Sequence, residues 1–157
     1  MADAELPVAS RSADGVAPAF DSPRALVDHL MRRDAFSRWL GVEVVEADVG
    51  RSVLRMTVRD EMVNGFGTSH GGIVFSLADS AFAFCINSGG VLSVAIDCFV
   101  SFPVAVRPGD VLTAIGIEDS SSNRLAFCTV TVRNQHDAIV GHFRGTGYRT
   151  QRPHLPD

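Results

Sequence analysis

With 157 residues, 46% of them hydrophobic and 20% charged, the chain has the size and composition of one globular domain. The net charge is −4, all fourteen basic residues are Arg, and none forms a run, which excludes a nucleic-acid-binding footprint. Three cysteines, Cys85, Cys98 and Cys128, stand far apart in apolar segments without a Cys-x-x-Cys pair. They point to buried reduced thiols in a reducing compartment rather than a disulfide frame or zinc site.

Residues 1–20 are rich in Ala, Asp and Pro and lack the basic start and apolar centre of a secretory signal. They read as a flexible arm, followed by a single domain over 21–150 and a tail over 151–157 that should fray. No apolar stretch reaches membrane-spanning length without Asp79 interrupting it, so a cytoplasmic protein with no membrane partner is expected. Asp21-Ser22-Pro23 supplies a cap and a proline at the first helical position. A rough stripe of Leu26, Leu30, Ala35, Phe36 and Trp39 then carries one helix to Gly41. From Val42 to Asp48 and from Arg51 to Arg59 the pattern alternates, and Val49-Gly50 between them suits a hairpin. In the second segment Arg51, Val53, Arg55, Thr57 and Arg59 face one way, and Ser52, Leu54, Met56 and Val58 the other.

A polar, Gly-rich loop over 60–70 then runs into the most apolar helix of the chain, about 71–87, closed by Ser88-Gly89-Gly90. Four strands are predicted after it, at 91–102, 110–119, 124–134 and 138–148, separated by turns of hairpin length. Short turns imply an antiparallel sheet, and a helix apolar all round must be wrapped by it. The expected class is α+β: a hotdog fold, an antiparallel curved sheet around a long central helix, with an extra N-terminal helix.

The chemistry concentrates on that helix. Asp79 is a single carboxylate among Leu77, Ala78, Ala81 and Phe82, costly to bury as a charge unless something pairs with it or uses it. Gly71 and Gly72 leave backbone N–H groups uncovered at the helix start, where an oxyanion or polarised carbonyl binds well. A dinucleotide fingerprint is excluded by the spacing of Gly65, Gly67 and Gly71, and a serine-hydrolase elbow by the lack of any Gly-x-Ser-x-Gly. His29, His136, His142 and His154 lack metal-ligand spacing and read as surface or turn residues. No metal or redox cofactor is expected.

The run from Asn64 to Ser88, with its His70-Gly71-Gly72, Ser76-Leu77-Ala78-Asp79 and Asn87-Ser88 elements, resembles the PaaI-like hotdog thioesterases of phenylacetate degradation. The likeness extends from about Asp34, through Leu40-Gly41-Val42, to Phe143-Arg144-Gly145 and Arg149. It implies hydrolysis of acyl-CoA thioesters of the (hydroxy)phenylacetyl type, with Asp79 as catalytic carboxylate and the Gly71 N–H polarising the thioester carbonyl. It further implies that Asn64 and His70 shape and orient the site and that Ser80 lies beside the carboxylate. Related enzymes hold the attacking water with a Ser on the strand after the helix; that position falls near Ala95, with Ser93 close by. Gly72 and Phe66 are candidate substrate contacts, as are Arg124, Arg144 and Arg149 for the CoA phosphates. Phe66, Phe75, Phe82 and Phe84 are the aromatic residues available to line an acyl pocket.

In a regular helix Gly71 and Asp79 are about 12 Å apart along the axis. One carbonyl cannot touch both on the same helix, so the carboxylate serving one Gly71 should come from a second subunit across a two-fold axis. A homo-oligomer with shared sites follows, and the resemblance implies a tetramer. Other acyl-CoA chains, a hotdog enoyl-thioester hydratase or dehydratase using His70 with Asp79, and a non-catalytic acyl-CoA-binding protein are the alternatives.

Overall fold

The computed structural model describes residues 19–156, so most of the arm expected over 1–20 lies outside the described residues. The elements run α1 (Pro23–Arg33), α2 (Ala35–Leu40), β1 (Glu43–Asp48), β2 (Arg51–Thr57) and a 3-10 turn at Asp60–Met62. Then follow α3 (Gly71–Asn87), β3 (Val91–Ser101), β4 (Val111–Ser121), β5 (Leu125–Arg133) and β6 (Ile139–Pro153).

The single helix expected up to Gly41 is two. Asp34 leaves the helical conformation, and its Oδ1 accepts the Ser37 N–H at 2.9 Å, starting a new helix where the first one ends. Gly41, at φ +81°, closes α2 in the left-handed region that favours glycine. Arg59 then donates to Leu40 O (2.8 Å) and Trp39 O (3.0 Å), tying the end of α2 to the segment that leads into the loop over 60–70.

Six strands form one antiparallel sheet in the order β1-β2-β4-β5-β6-β3. It curls around α3, which touches all six strands. This is the hotdog arrangement. Leu54, Met56, Leu112, Ala114, Ala126, Val130, Val132, Val140 and Phe143 from the sheet meet Val74, Leu77, Ala81, Phe82, Cys85 and Ile86 of the helix in one core. The alternation in β2 holds for Ser52, Leu54 and Met56, which are buried, and for Arg55 and Thr57, which are exposed; Val53, expected outward, is also buried. Ser52 is a polar group on the core side, and its Oγ donates to Ala81 O at 2.7 Å.

α3 seats closely because β6 offers glycines beneath it. A Cβ at Gly145 would lie 2.9 Å from the Phe82 ring, and one at Gly141 3.0 Å from Val74 Cγ1. At its other end, Ser88 Oγ accepts the Gly50 N–H (2.8 Å) and donates to Cys85 O (2.7 Å), joining the β1–β2 hairpin to the helix C-terminus.

Two further expectations are corrected. The tail does not fray as a whole: β6 continues to Pro153, which pairs with Val91, and His154 N–H donates to Gly90 O at 2.9 Å. Nor are all the histidines on the surface. His29 is buried against the Phe20 ring, and His154 Nε2 bonds Asn87 Oδ1 at 2.7 Å. Burial, then the charge of His29, holds His154 below the ordinary imidazole value.

Candidate active site

α3 is not wrapped all round, contrary to its apolar sequence. Gly72, Phe75, Ser76, Asp79 and Ala83, spaced at three and four residues, keep partial or full exposure while the rest of the helix is largely buried. The sheet therefore leaves one stripe of the helix open, and Asp79 stands in its middle. Along this stripe runs β3, the terminal strand of the sheet, hydrogen-bonded to β6 on one side only. Val94, Ile96 and Phe99 of β3 are exposed apolar residues on that edge.

Asp79 is half-buried, and burial pushes its carboxyl above the ordinary carboxylate value. The hydrogen bond from Cys98 opposes the rise, and the negative charge of Asp34 adds to it. Among the described residues no cation pairs with Asp79. Its one side-chain hydrogen bond comes from Cys98 Sγ, 3.9 Å from Oδ1.

Ser80 sits beside it but faces the other way. It is buried, with its Oγ 2.8 Å from Ser37 Oγ, and Ser37 Oγ in turn donates to Asp34 Oδ2 at 2.5 Å. A hydroxyl has one proton to donate, so Ser37 gives its proton to the carboxylate and Ser80 donates to Ser37. Ser80 thus fastens α3 to α2.

The N-terminus of α3 is set by a loop with little freedom. His70 N–H donates to Met62 O and Ser69 N–H to Val106 O, both at 2.8 Å. His70 Nδ1 accepts the Gly72 N–H at 2.9 Å, which leaves its proton on Nε2. The Ile73 N–H is taken by His70 O at 2.9 Å. Gly71 is left with the N–H that has no intramolecular partner among the described residues, at the positive end of the helix. The Phe102 ring lies against it, 3.4 Å from where a Cβ would stand.

Asn64 organises the same loop. Its Oδ1 accepts the Phe66 N–H at 2.8 Å and its Nδ2 donates to Thr68 Oγ1 at 3.1 Å. Phe66, 93% exposed, is carried out at the tip.

The chain matches the Thioesterase superfamily family model over residues 66–140. It is 36% identical over 120 residues to the acyl-coenzyme A thioesterase PaaI of Escherichia coli, covering 76% of this chain and 86% of that one. This chain belongs to the PaaI-type thioesterases. As a member of that family it is a thioester hydrolase. The structure of the E. coli PaaI protein from the phenylacetic acid degradation operon superposes with a TM-score of 0.80 at 34% identity, covering 83% of this chain and 96% of that one. A hypothetical thioesterase protein from Streptococcus pneumoniae solved with coenzyme A gives a TM-score of 0.75 at 25% identity, covering 83% of this chain and 100% of that one. The human acyl-coenzyme A thioesterase 13 is 29% identical, over 73% of this chain and 84% of its own length.

The three arginines named as candidates lie apart from α3. Arg149 makes a two-pronged contact with Glu118 at 2.7 and 2.9 Å and reaches Ser122 O. Arg124 donates to the Tyr148 hydroxyl at 2.7 Å, and Arg144 lies over the exposed Phe99 ring at 5.5 Å. Phe82 and Phe84 belong to the core, whereas Phe75 is half-exposed and tilts against Phe143. Ala95 and Ser93 lie on β3; Ser93 is buried, its Oγ donating to Val91 O at 3.0 Å and its N–H to Asn87 Oδ1 at 2.8 Å.

Sequence reasoning missed Asp34, Ser37, Cys98 and Phe102. Asp34 followed by Ser37 is a helix-start signal that the apolar stripe across it concealed. Cys98 reads as one buried thiol of three; only the packing of β3 against α3 shows it half-buried and touching Asp79.

Proposed function

We propose that the protein hydrolyses acyl-CoA thioesters of the (hydroxy)phenylacetyl type at sites shared between two subunits. The observation that carries this is the placement on one helix of a Gly71 N–H without a partner among the described residues and a half-buried Asp79 on an open stripe. Eight residues of helix separate them by about 12 Å, too far for one carbonyl to touch both. Antiparallel pairing of β3 with its copy continues the sheet across the dimer and covers Val94, Ile96 and Phe99. It brings the loop of one subunit over the Asp79 stripe of the other.

In each site the thioester carbonyl accepts from Gly71 N–H, where the helix dipole stabilises the developing oxyanion. Asp79 of the facing subunit removes a proton from water as the water attacks, and the raised basicity that burial confers suits that role. The tetrahedral intermediate then expels the CoA thiolate. His70 Nε2–H and the free amide hydrogen of Asn64 orient the substrate, with Gly72 lining the approach. Ser80 keeps the carboxylate turn in place through Ser37. Phe66 and Phe75 offer the aromatic acyl contacts, and Arg124 and Arg144 the contacts to CoA phosphates.

Thiol release from phenylacetyl-CoA tests the scheme. Wild type is active, Asp79→Asn and Gly71→Pro are each inactive as folded proteins, and co-assembly of the two inactive variants restores activity to mixed dimers. A fully active Asp79→Asn refutes the carboxylate's role, and mixed dimers without activity refute the shared site. Faster turnover of straight-chain acyl-CoAs would refute the aryl preference alone. Single turnover in heavy-oxygen water places the label only in the acid product if Asp79 is a base, and first in the protein if Asp79 attacks directly.

A further inference from the structure

We propose that Cys98 is a positioning residue for the hydrolysis, its thiol donating to Oδ1 of Asp79 from β3 and leaving Oδ2 as the oxygen that meets water. The inference rests on Asp79 being the reacting carboxylate. The Sγ–Oδ1 contact of 3.9 Å crosses from the edge strand to the open stripe of α3. It is the only side-chain hydrogen bond that Asp79 makes among the described residues. Cys98 is half-buried while its neighbours Asp97 and Phe99 are exposed, so the thiol turns inward toward the helix. A carboxylate on a helix with no such partner rotates between rotamers; a donor on one oxygen selects one of them.

A thiol suits this task for two reasons. It is a weak donor, so it orients the carboxylate without greatly reducing its basicity, as an Arg or Lys would. It also stays protonated. Burial, then the charges of Asp79 and Asp97, pushes the Cys98 thiol up to about 11. A thiolate at this place would attack the bound thioester carbonyl, forming an acyl–Sγ bond and expelling the CoA thiolate, and would hold the acyl group on the enzyme. Held neutral, the sulfur remains a donor and leaves the carbonyl to water. The groups that act on Asp79 are Cys98 from β3 and Asp34 from the joint of α1 and α2; Asp97 acts on the Cys98 thiol, and Ser80 turns away to Ser37.

The test is the pH dependence of kcat for acyl-CoA hydrolysis by wild type, Cys98→Ala, Cys98→Val and Cys98→Ser, with Asp79→Asn alongside. Removing the donor costs about 3- to 10-fold in kcat at neutral pH with KM unchanged, the effect of one weak hydrogen bond. It also moves the acid limb upward by about half a pH unit, because the ionised carboxylate has lost a stabilising partner. Serine, whose hydroxyl sits on a shorter bond than the thiol, restores both only in part. Val suits a strand and serves in place of the alanine variant if that one is unstable. An inactive Asp79→Asn together with Ala and Val variants that keep the wild-type limb and kcat overturns the positioning role alone. An active Asp79→Asn overturns the carboxylate's role and this inference with it.

Discussion

Replacing Gly145 with Ala tests how firmly α3 is seated. A Cβ at this position stands 2.9 Å from Cε2 and Cζ of Phe82 and 3.0 Å from Cε1 of Phe143. Carbon atoms rest at about 3.5–4.0 Å, so the methyl overlaps the ring by roughly 0.6 Å or more. Phe82 has no exposed surface and packs on Phe143 with ring centroids 5.5 Å apart, so the ring cannot swing aside. Either β6 or α3 must shift. Overpacking of this kind costs about 1–3 kcal/mol. For a chain of this size that lowers Tm by roughly 2–12 °C.

The displacement reaches the chemistry as well. Phe82 follows Asp79 by three residues, about 4.5 Å along the axis. A half-ångström shift of the helix lowers kcat by about 10-fold, given that a full ångström costs about 100-fold. Thermal unfolding and thiol release on the same preparations measure both effects. Gly147→Ala is the control. Its Cβ falls 2.5 Å from Ile86 Cδ1, but that atom ends a flexible side chain that can turn away. A Gly145→Ala protein as stable and active as wild type, or a Gly147→Ala protein more damaged than it, would refute the proposed seat.

Arg149→Met leaves Glu118 without its two-pronged partner, so it should cost roughly 1–3 kcal/mol of stability with KM for acyl-CoA unchanged. Arg144→Met should do the reverse, raising KM while Tm stays; paired unfolding and kinetic measurements check both. Asp79 also predicts how stability varies with pH. Its raised carboxyl binds a proton more tightly when folded than when unfolded, so stability is lost as pH rises from the ordinary carboxylate value through the raised one. Asp79→Asn lacks this penalty and should melt higher than wild type, with the gap widening as pH rises above the ordinary carboxylate value and levelling off once the raised one is passed; a gap that stays constant with pH contradicts the shift.

The elements nearest the site were the most legible in the sequence. The central helix was expected at about 71–87 and spans Gly71–Asn87, because an apolar run bounded by a Gly-rich loop and Ser88-Gly89-Gly90 has little else it can form. The alternating strands and short turns likewise specified an antiparallel sheet. Asp79 and Gly71 stood out because a lone carboxylate in an apolar helix, and glycines at a helix start, are chemically conspicuous wherever they fold. By contrast, the kink at Asp34 was concealed by the apolar stripe that runs across it, and the docked tail depends on a partner distant in the chain. Asn87, which holds His154, lies 67 residues away from it.

What the sequence by itself determined, then, is the order of elements, the central helix with Gly71 and Asp79 on it, and the distance between those two residues, since helical rise and hydrophobic period are local properties. Only the tertiary structure decided which stripe of α3 stays open. The apolar content of the helix predicts complete wrapping, but the six strands end at β3 and leave Asp79 uncovered. The same closure brings Cys98 to the carboxylate and sends the Ser80 hydroxyl to Ser37 instead. Hydrogen bonds between side chains on different elements depend on ångström-scale packing, and no pattern along a single strand or helix encodes that.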